Sequence, residues 1–515
     1  MHRAALRLQL GLALLTIGAG HAPAVHAQNL PDGFALETVV AAPFVGYPVG
    51  FTFLPDGRVL IVEKETGDVR VAAVGAGTSV VCATIPNVRG NGERGLLGVA
   101  VDPAWPARPY IYLMATYTDG WMRVTMHTVT GDLTQATSTN LTFSSTYVLL
   151  QIVDVFPNHK SGTLRFGPDG LLYASVGDDG DVCAVQLVDA WNGKILRLDV
   201  AAMPGAGSGP PALSNITPGA NPYFGSTDKA RLVYAMGMRN PFRFTIDPLT
   251  GNLYVGDVGA HDWEEMDEIV YAGYTGVNFG WPFYEASLFI ARNCMDGSPY
   301  GDPIYAFPHD GDIPSAVIAG PLYRGVSGSP VSFPSAYEGN VFLHDHYGGW
   351  IRRLQSNHGA WELGPAVPGQ MDPENWAWGM GYISDLQVGP DGALYIMVLL
   401  GVEGVEQGLH RIVNTIPADA VVETGRMRSV AVPNPGRVAH GVTIHFERAI
   451  PNATQLLVYS TSGRLVRRLE AVAPRADVFW DGRDQDGHSV APGLYVYELG
   501  APAGTTTRGK FLLVR

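Results

Sequence analysis

The chain has 515 residues, which is too long for one ordinary core and predicts one large domain followed by one small domain. Its 63 glycines, 37 prolines and 10% aromatic residues favour a turn-rich β protein and exclude a helical bundle. The net charge of −14 excludes a nucleic-acid-binding surface, because such a chain would repel phosphates.

Residues 1–27 have the pattern of a secretory signal peptide. Arg3 and Arg7 precede an apolar run from Leu8 to Ala19, and Val25-His26-Ala27 forms a cleavage site. That run is shorter than the roughly 20 residues that cross a bilayer, and no later segment reaches such a length without glycine, proline or charge. The sequence therefore predicts a secreted, periplasmic or cell-surface protein with no membrane span.

One pattern recurs in residues 28–418: an alternating strand, a Pro-Asp-Gly or Asp-Pro turn, and a second alternating strand. The alternation places one face of each strand in a core, and Asp-Gly supplies the positive φ of a tight hairpin. The five copies are Gly50–Val71, Gly98–Tyr117, Thr163–Asp178, Phe242–Gly259 and Ile383–Val398. Asn340–Gln355 is a sixth strand pair without this turn. These hairpins predict an all-β, six-bladed β-propeller over its main competitor, a β-sandwich.

The character of the sequence changes after Ala418. Residues 426–515 carry a net charge of +5, which leaves −19 on the rest and indicates a separate module. Four alternating segments, with Ser462-Gly463 as a hairpin turn, predict a small immunoglobulin-like β-sandwich in residues 426–515. This tail resembles the immunoglobulin-like domains of flagellar-hook capping proteins and C-terminal sorting domains, through VPNP, VYSTSGRLV, WDGRDQDGHSVAPGLYVYEL and KFLLVR. The resemblance implies export or attachment.

The chain contains three cysteines, Cys82, Cys183 and Cys294. An odd number spread across the sequence allows at most one intramolecular disulfide and leaves one thiol. The pattern therefore excludes both a disulfide scaffold and a CxxC zinc site.

Several stretches place polar residues at strand ends, where the loops of a propeller gather around its channel. A single histidine such as His159 is more often a solvated loop residue than a catalytic base. Arg239-Asn240 before Pro241 fits either an anion-binding pair or an Arg stem packed over Phe242 with Asn capping a turn. The carboxylates between Asp257 and Glu268 fit either a solvated acidic face or a Ca²⁺ site without EF-hand spacing.

Read together, the stretches between Gly33 and Asn414 resemble the soluble quinoprotein glucose and sorbosone dehydrogenases, which include the aldose sugar dehydrogenases. The shared motifs, in order, are ERGLLGVAVDP, NHKSGTLRFGPDG with GDDGD after it, NGKILRLDV, MGMRNPF, DVGAHDWEEMDEI and NFGWP. The resemblance implies a six-bladed propeller that uses pyrroloquinoline quinone (PQQ) and Ca²⁺. It also implies oxidation of an aldose to its lactone, with electrons passed on to an external quinone, cytochrome or dye.

The resemblance also implies roles for individual residues. His159 would be the general base that takes the hydroxyl proton from the sugar C1 while hydride passes to PQQ. Arg239 and Asn240 would bind the quinone oxygens and stabilise charge that develops during reduction. Gly259 and Ala260 would offer backbone carbonyls to Ca²⁺, and Glu93 stands where glucose dehydrogenases carry an amide side chain near the active site.

One stretch departs from the family pattern. The glucose dehydrogenases carry an Arg pair before the last Pro-Asp-Gly turn, where this chain has Tyr382 and Ser384. The candidates to replace these cations are Arg324, Arg352, Arg353, His344 and His346. Two alternatives to an enzyme of this family therefore stay open. One is a propeller that binds a protein or carbohydrate without redox chemistry, as hedgehog-interacting relatives do, and the other is a metal-dependent lactonase.

Overall fold

The structure is a computed structural model. It describes residues 28–290, 293–295, 297, 299–309, 314–357, 359–416, 429–438, 441–450, 454–460, 464–471, 475–500 and 506–514. The predicted signal peptide, the domain boundary near Ala418 and the predicted Ser462-Gly463 turn lie outside these residues. The chain divides into two compact units, one that ends at Thr415 and one from Ile416 to Arg515.

The described part of the first unit is a six-bladed β-propeller with almost no helix, as the repeated hairpins predict. Blade 1 contains β2 (Pro48–Phe53), β3 (Val59–Glu63), β4 (Asp68–Ala72) and β5 (Val80–Thr84). Blade 2 contains β6 (Leu96–Val101), β7 (Tyr110–Thr116), β8 (Trp121–Gly131) and β9 (Leu141–Val153). Blade 3 contains β10 (Leu164–Phe166), β11 (Leu172–Val176), β12 (Lys194–Leu198) and β13 (Val233–Met236).

Blades 4 to 6 complete the ring. Blade 4 contains β14 (Pro241–Ile246), β15 (Leu253–Asp257), β16 (Trp263–Ile269) and β19 (Tyr305–Pro308). Blade 5 contains β20 (Val317–Leu322), β21 (Val341–Asp345), β22 (Trp350–Asn357), β23 (Ala360–Leu363) and β24 (Ala377–Trp378). Blade 6 contains β25 (Tyr382–Val388), β26 (Leu394–Leu400), β27 (Gly408–Asn414) and β1 (Phe34–Ala41). The remaining elements are a small hairpin, β17 (Tyr284–Glu285) and β18 (Leu288–Phe289), and four 3₁₀ turns, Ala184–Gln186, Leu213–Asn215, Ala230–Leu232 and Ser335–Tyr337.

The ring is closed by strands from opposite ends of the unit. β1 pairs antiparallel with β27, so that Phe34 lies opposite Asn414 and Ala41 lies opposite Gly408. The outer strand of blade 6 therefore comes from the start of the propeller, while its three inner strands come from the end. Apolar side chains of neighbouring blades pack together between the sheets and form the core.

Arg243 lies at the hub, where the inner strands of the blades meet. Its side chain is almost completely buried and donates hydrogen bonds to the carbonyls of Val49 (2.5 Å) and Ser384 (2.8 Å) and to the hydroxyl of Thr163 (3.0 Å). The guanidinium of Arg243, in blade 4, therefore contacts the innermost strands of blades 1 and 6. It also contacts Thr163, the residue just before the innermost strand of blade 3. Burial lowers its pKa to about 10, so Arg243 keeps its charge at neutral pH.

The second unit is a seven-stranded sheet whose edge strands approach one another, so that it has a barrel-like shape consistent with a β-sandwich. Its strands are β28 (Ser429–Arg437), β29 (Gly441–Ile450), β30 (Thr454–Ser460), β31 (Leu465–Ala471), β32 (Arg475–Trp480), β33 (Gly493–Gly500) and β34 (Thr506–Val514). Trp480, Tyr497 and Phe511 are buried in its core. The four predicted segments are strands here, and β28 and β34 extend the sheet beyond the prediction.

No helix in the described part of the chain has the length and apolar character needed to cross a membrane.

Cys183 and Cys294 form a disulfide, and Cys82 is a free thiol, which agrees with the limit of one bridge read from the sequence. We expect replacement of Cys183 and Cys294 by serine to destabilise the propeller by about 3 kcal/mol, because the bridge closes a long loop of the unfolded chain. Calorimetric melting under non-reducing conditions measures this change. Cys82→Ser is the matched control, with a much smaller expected effect. Equal melting of the double variant and the wild type would contradict the prediction.

Candidate functional site

His159 lies in the loop that leads into β10. Its φ of 56° is left-handed, and the following Ser161 and Gly162 also have positive φ. Residues other than glycine adopt this conformation rarely, so the loop must be held by its surroundings. A carboxylate oxygen of Glu93 accepts the backbone N–H of His159 (2.7 Å) and that of Lys160 (3.3 Å). The acid from blade 2 therefore fixes the backbone that presents the imidazole.

Asp178 orients the imidazole from the end of β11. Its Oδ1 lies 2.6 Å from Nδ1 of His159 and also accepts the N–H of Gly180 (2.8 Å), while Oδ2 accepts Nε1–H of Trp281 (3.0 Å). Burial favours the neutral carboxyl, but the hydrogen bond from His159 and the nearby charge of Arg239 outweigh burial and lower the pKa of Asp178. The ionised carboxylate therefore holds the Nδ1–H tautomer and leaves Nε2 free to accept a proton.

Asn240 and Glu93 join blade 4 to the histidine loop. The Asn240 amide donates to Glu93 (3.1 Å), and its carbonyl oxygen accepts the N–H (3.2 Å) and the hydroxyl (3.0 Å) of Ser161. Both residues are buried, and both line a small apolar cavity at the hub. A side chain at Gly177 would clash with the carbonyl of His159, so this close packing of the loop requires glycine.

Arg239 lies beside the same network. The carbonyl oxygen of Arg239 accepts the N–H of Asp178 (2.8 Å). The guanidinium carbon of Arg239 lies 5.7 Å from the ring centre of Trp281. Its Nη1 donates to the carbonyls of Val258 (2.9 Å) and Gly259 (2.6 Å). Among the described residues, Nε and Nη2 have no hydrogen-bonded acceptor, so this edge of the guanidinium can bind a ligand.

Asp257 lies beneath Arg239 and Asn240. Its two oxygens accept the backbone N–H groups of Arg239 (2.8 Å) and Asn240 (2.7 Å). Burial raises its pKa to about 7, against the effect of these hydrogen bonds. Burial and mutual repulsion also raise the pKa of Glu265 and of Asp267, and both oxygens of Asp267 lack a hydrogen-bond partner. Blade 4 therefore contains several buried acids with little compensating positive charge.

The turn that contains Gly259 and Ala260 is held by Glu285. One oxygen, Oε1, accepts four successive backbone N–H groups, those of Ala260, His261, Asp262 and Trp263, at 2.6 to 3.2 Å. The other oxygen, Oε2, is buried without a hydrogen-bond partner. These contacts fix the backbone of the turn, and they lower the pKa of Glu285 against the effect of burial.

Tyr382 stands where the sequence resemblance predicts an Arg pair. It packs against His346 (5.4 Å between ring centres) and Tyr347 (6.4 Å), whereas Ser384 is buried at the hub. Burial lowers the pKa of His346, so this ring is neutral at pH 7. Lys64 also lines the hub cavity and donates to the carbonyl of Gly90 (2.7 Å), although burial lowers its pKa.

The other candidate cations have partners of their own. Arg324 is paired with Asp247 and Glu338, and Arg352 with Glu374. Arg353 donates to Asn340, and burial keeps His344 neutral by lowering its pKa. In the described part of the chain, Arg239 lies in the network of His159, and Lys64 lines the hub cavity, where it also lies 3.7 Å from Glu65.

The structure brings His159, Glu93, Arg239, Asn240 and Gly259 into one hydrogen-bonded network. Sequence reasoning did not assign a role in this network to Asp178, Glu285 and Trp281, and it named Asp257 only as one of the possible Ca²⁺ ligands. For Asp178 a signal was present, because GDDGD directly follows the strand that pairs with the strand after His159.

The blades and this network define the class of the protein. The chain belongs to the glucose/sorbosone dehydrogenase family, whose model matches residues 45–400. It is 26% identical to quinoprotein glucose dehydrogenase B of Acinetobacter calcoaceticus over 50% of this chain and 55% of that protein. It is 25% identical to an aldose sugar dehydrogenase of Escherichia coli K12 over 46% of this chain and 59% of that protein.

A relative that is not named as a dehydrogenase also matches. Hedgehog-interacting protein of Homo sapiens is 27% identical over 42% of this chain and 32% of its own length. The matched segments thus span about a third to three fifths of these relatives.

Solved structures agree with the fold. A Thermus thermophilus oxidoreductase described as a glucose dehydrogenase is 27% identical, with a TM-score of 0.54 over 74% of this chain and 100% of that chain. The PQQ-bound aldose sugar dehydrogenase of Streptomyces coelicolor is 20% identical, with a TM-score of 0.52 over 74% of this chain and 99% of that chain.

Proposed function

We propose that the chain is an exported PQQ- and Ca²⁺-dependent dehydrogenase that oxidises the C1 hydroxyl of an aldose to the lactone. The observation that carries this proposal is the ionised Asp178 that contacts the imidazole of His159 and lies beside Arg239. A base oriented by a carboxylate, next to a guanidinium with free N–H groups, suits removal of a proton from a substrate that gives up hydride. The family membership supports the same reaction class.

His159 acts as the general base. Its Nδ1–H donates to Asp178, so the lone pair on Nε2 faces away from the carboxylate and can accept the C1 hydroxyl proton. The developing imidazolium is stabilised by the negative charge of Asp178, as in other base–carboxylate pairs. The imidazole side chain is 15% exposed, so it is accessible to a sugar while most of its surface is shielded from water.

PQQ, when bound, would accept the hydride from C1, which is redox chemistry that the chain's own side chains lack. The free edge of Arg239 fits a quinone oxygen or a carboxylate. Asn240 and Glu93 contribute mainly by fixing the loop of His159, because their polar atoms already bond to it. The residues present therefore fit an anionic cofactor, although they supply fewer positive charges than the family pattern.

A cation also fits beside the turn that contains Gly259 and Ala260. The carbonyl of Gly259 accepts Arg239 with one lone pair and has a second available. The buried Oε2 of Glu285 has no hydrogen-bond partner, so it offers a carboxylate oxygen in this region. Ca²⁺ prefers such carbonyl and carboxylate oxygens, and it would add Lewis acidity at the site.

The remaining predictions belong to the same proposal. A signal peptide in residues 1–27 would direct the chain to the periplasm or the outside of the cell, where the Cys183–Cys294 disulfide is stable. An external quinone, cytochrome or dye would reoxidise the cofactor. The second unit would serve as a sorting or attachment domain, with no part in the chemistry.

Reconstitution of the purified chain tests the proposal. Adding PQQ with Ca²⁺ is expected to give reduction of a dye with at least one aldose, and PQQ or Ca²⁺ alone is expected to give none or far less. PQQ binding is followed separately, by quenching of tryptophan fluorescence. Binding without turnover on a broad aldose panel would contradict the proposed reaction.

A non-catalytic binding propeller is the second candidate, and one observation favours it. Tyr382 and Ser384 stand where the family resemblance puts an Arg pair, which removes charge that a trianionic cofactor needs. In that case the reconstitution would show neither PQQ binding nor dye reduction. The match to a hedgehog-interacting protein is compatible with this reading.

A further inference from the structure

Lys160 directly follows His159, and its charged side chain is buried, with 2% of its surface exposed. Its ammonium group contacts two carboxylates, that of Asp154 just after β9 (2.6 Å) and that of Asp179 in the loop after β11. A buried ammonium group costs free energy unless such partners surround it. We propose that Lys160 is a positioning residue that keeps the imidazole of His159 aligned with Asp178. The inference rests on the proposed function, because it concerns the orientation of the same base.

Two consecutive residues of the histidine loop pair with two consecutive residues of the loop after β11. His159 contacts Asp178 through Nδ1 (2.6 Å), and Lys160 contacts Asp179 through its ammonium group. Consecutive Cα atoms are only about 3.8 Å apart, so a shift at one pair also displaces the other. The ion pair of Lys160 therefore fixes the position of the imidazole relative to the carboxylate that orients it.

The carboxylate of Asp179 also joins the two ends of the histidine loop. Its oxygens accept the backbone N–H groups of Val155 (2.9 Å) and Phe156 (2.8 Å) at the start of the loop, and Lys160 contacts it from near the end. The φ angles of His159 (56°) and Asp179 (52°) are both left-handed. Residues other than glycine keep such a conformation only when their surroundings hold them. Lys160 contributes to that restraint on both loops.

Arg94 completes the charge balance around Lys160. Its Nε donates to both oxygens of Asp154 (2.7 and 2.9 Å), so two buried cations face the buried carboxylates of Asp154 and Asp179. Burial favours the neutral carboxyl, but the hydrogen bonds from Arg94 and Lys160 outweigh burial and lower the pKa of Asp154. Asp154 stays paired with Arg94 when Lys160 is replaced, whereas Asp179 loses its counter-charge.

The first test follows the imidazole itself, in the full chain without PQQ. NMR of protein with ¹⁵N-labelled histidine shows which ring nitrogen carries the proton, and His159 is assigned by the signal missing from His159→Ala. We expect the Nδ1–H tautomer in the wild type and exchange between both tautomers in Lys160→Met, because the ring no longer stays aligned with Asp178. The matched control is Lys510→Met, at an exposed lysine of the second unit, which should keep the wild-type signal. A fixed Nδ1–H tautomer in Lys160→Met would overturn the inference.

Steady-state kinetics with PQQ and Ca²⁺ gives the second test. Lys160→Met is expected to lower kcat by about tenfold, because a displacement of ~1 Å at a reacting group can cost up to about 10²-fold. KM and PQQ affinity should stay unchanged, since the ammonium group is buried within the loops. Unchanged kcat in Lys160→Met, with an active wild type, would overturn the positioning role and leave the dehydrogenase standing.

The double variant Lys160→Met with Asp179→Asn separates positioning from stability. It removes both partners of the ion pair, so the thermal midpoint should recover toward the wild type while kcat stays low. A kcat that follows the thermal midpoint across these variants would show a purely structural role and overturn the inference. Tautomer exchange in Lys160→Met, without oxidation of any sugar by the wild type, would support the positioning of His159 and contradict the dehydrogenase.

Discussion

Replacing His159 with alanine is expected to lower kcat for sugar oxidation by about 10²–10⁴-fold, the usual contribution of a positioned general base. The physical reason is that the C1 hydroxyl proton would have no acceptor within the shielded site, since Asp178 bonds to the side of the ring that faces away from the sugar. Dye-coupled turnover of the protein loaded with PQQ and Ca²⁺ measures the effect. PQQ affinity should change little, because the imidazole is not the predicted anion-binding group.

A control for this variant is His488→Ala in the second unit. His488 is 80% exposed and has no proposed part in the reaction, so its removal should leave kcat and KM unchanged. A His159→Ala protein that keeps wild-type kcat would refute the base assignment, whatever its effect on KM.

The second large effect is expected for Asp178→Asn. Both carboxylate oxygens of Asp178 accept N–H donors, from His159 and Gly180 on one side and from Trp281 on the other. An asparagine has one oxygen and one NH₂ group, so in either orientation a donor faces a donor. The variant also removes the charge that stabilises the imidazolium. We therefore expect kcat to fall by about 10²-fold or more, measured in the same dye assay.

The donor conflict at Trp281 gives this prediction an internal check. In the double variant Asp178→Asn with Trp281→Phe, the NH₂ group can take the place vacated by the indole while the oxygen still faces His159. Part of the lost kcat should therefore return, although the charge remains absent. Asp228→Asn, at an acid 78% exposed, is the control for the loss of one negative charge. An Asp178→Asn enzyme with full activity would show that this carboxylate does not orient the base.

The ring of blades was predictable because its hairpins repeat one turn chemistry. Each of the five Pro-Asp-Gly or Asp-Pro copies contains the first strand pair of a blade, and the first copy also includes most of the third strand, β4. The sixth pair, Asn340–Gln355, is the second and third strands of blade 5 instead. Its first strand, β20, precedes a long connection with no tight turn, so local pattern did not mark it. The pairing of β1 with β27 was equally hidden, because register between distant strands is a tertiary property.

The residues of the site were predictable only where they belong to a recognisable sequence motif. His159 and Arg239 stand in motifs with fixed neighbours, and the structure brings both against Asp178. The contacts of Trp281 and Glu285 could not be predicted from the sequence, because both belong to the long connection between β16 and β19, whose approach to blades 3 and 4 depends on packing.

The pairing of β1 with β27 in blade 6 has a consequence for folding during synthesis. The partners Phe34 and Asn414 emerge from the ribosome far apart in time, so β1 waits unpaired until nearly the whole propeller has been synthesised. Pairing of such remote segments is slow, because a long loop of chain must lose conformational entropy before the contact contributes any stabilisation. Until then the inner strands of the last blade present an open edge, which is a surface prone to association with other chains. The last step of assembly is therefore the one that protects the ring.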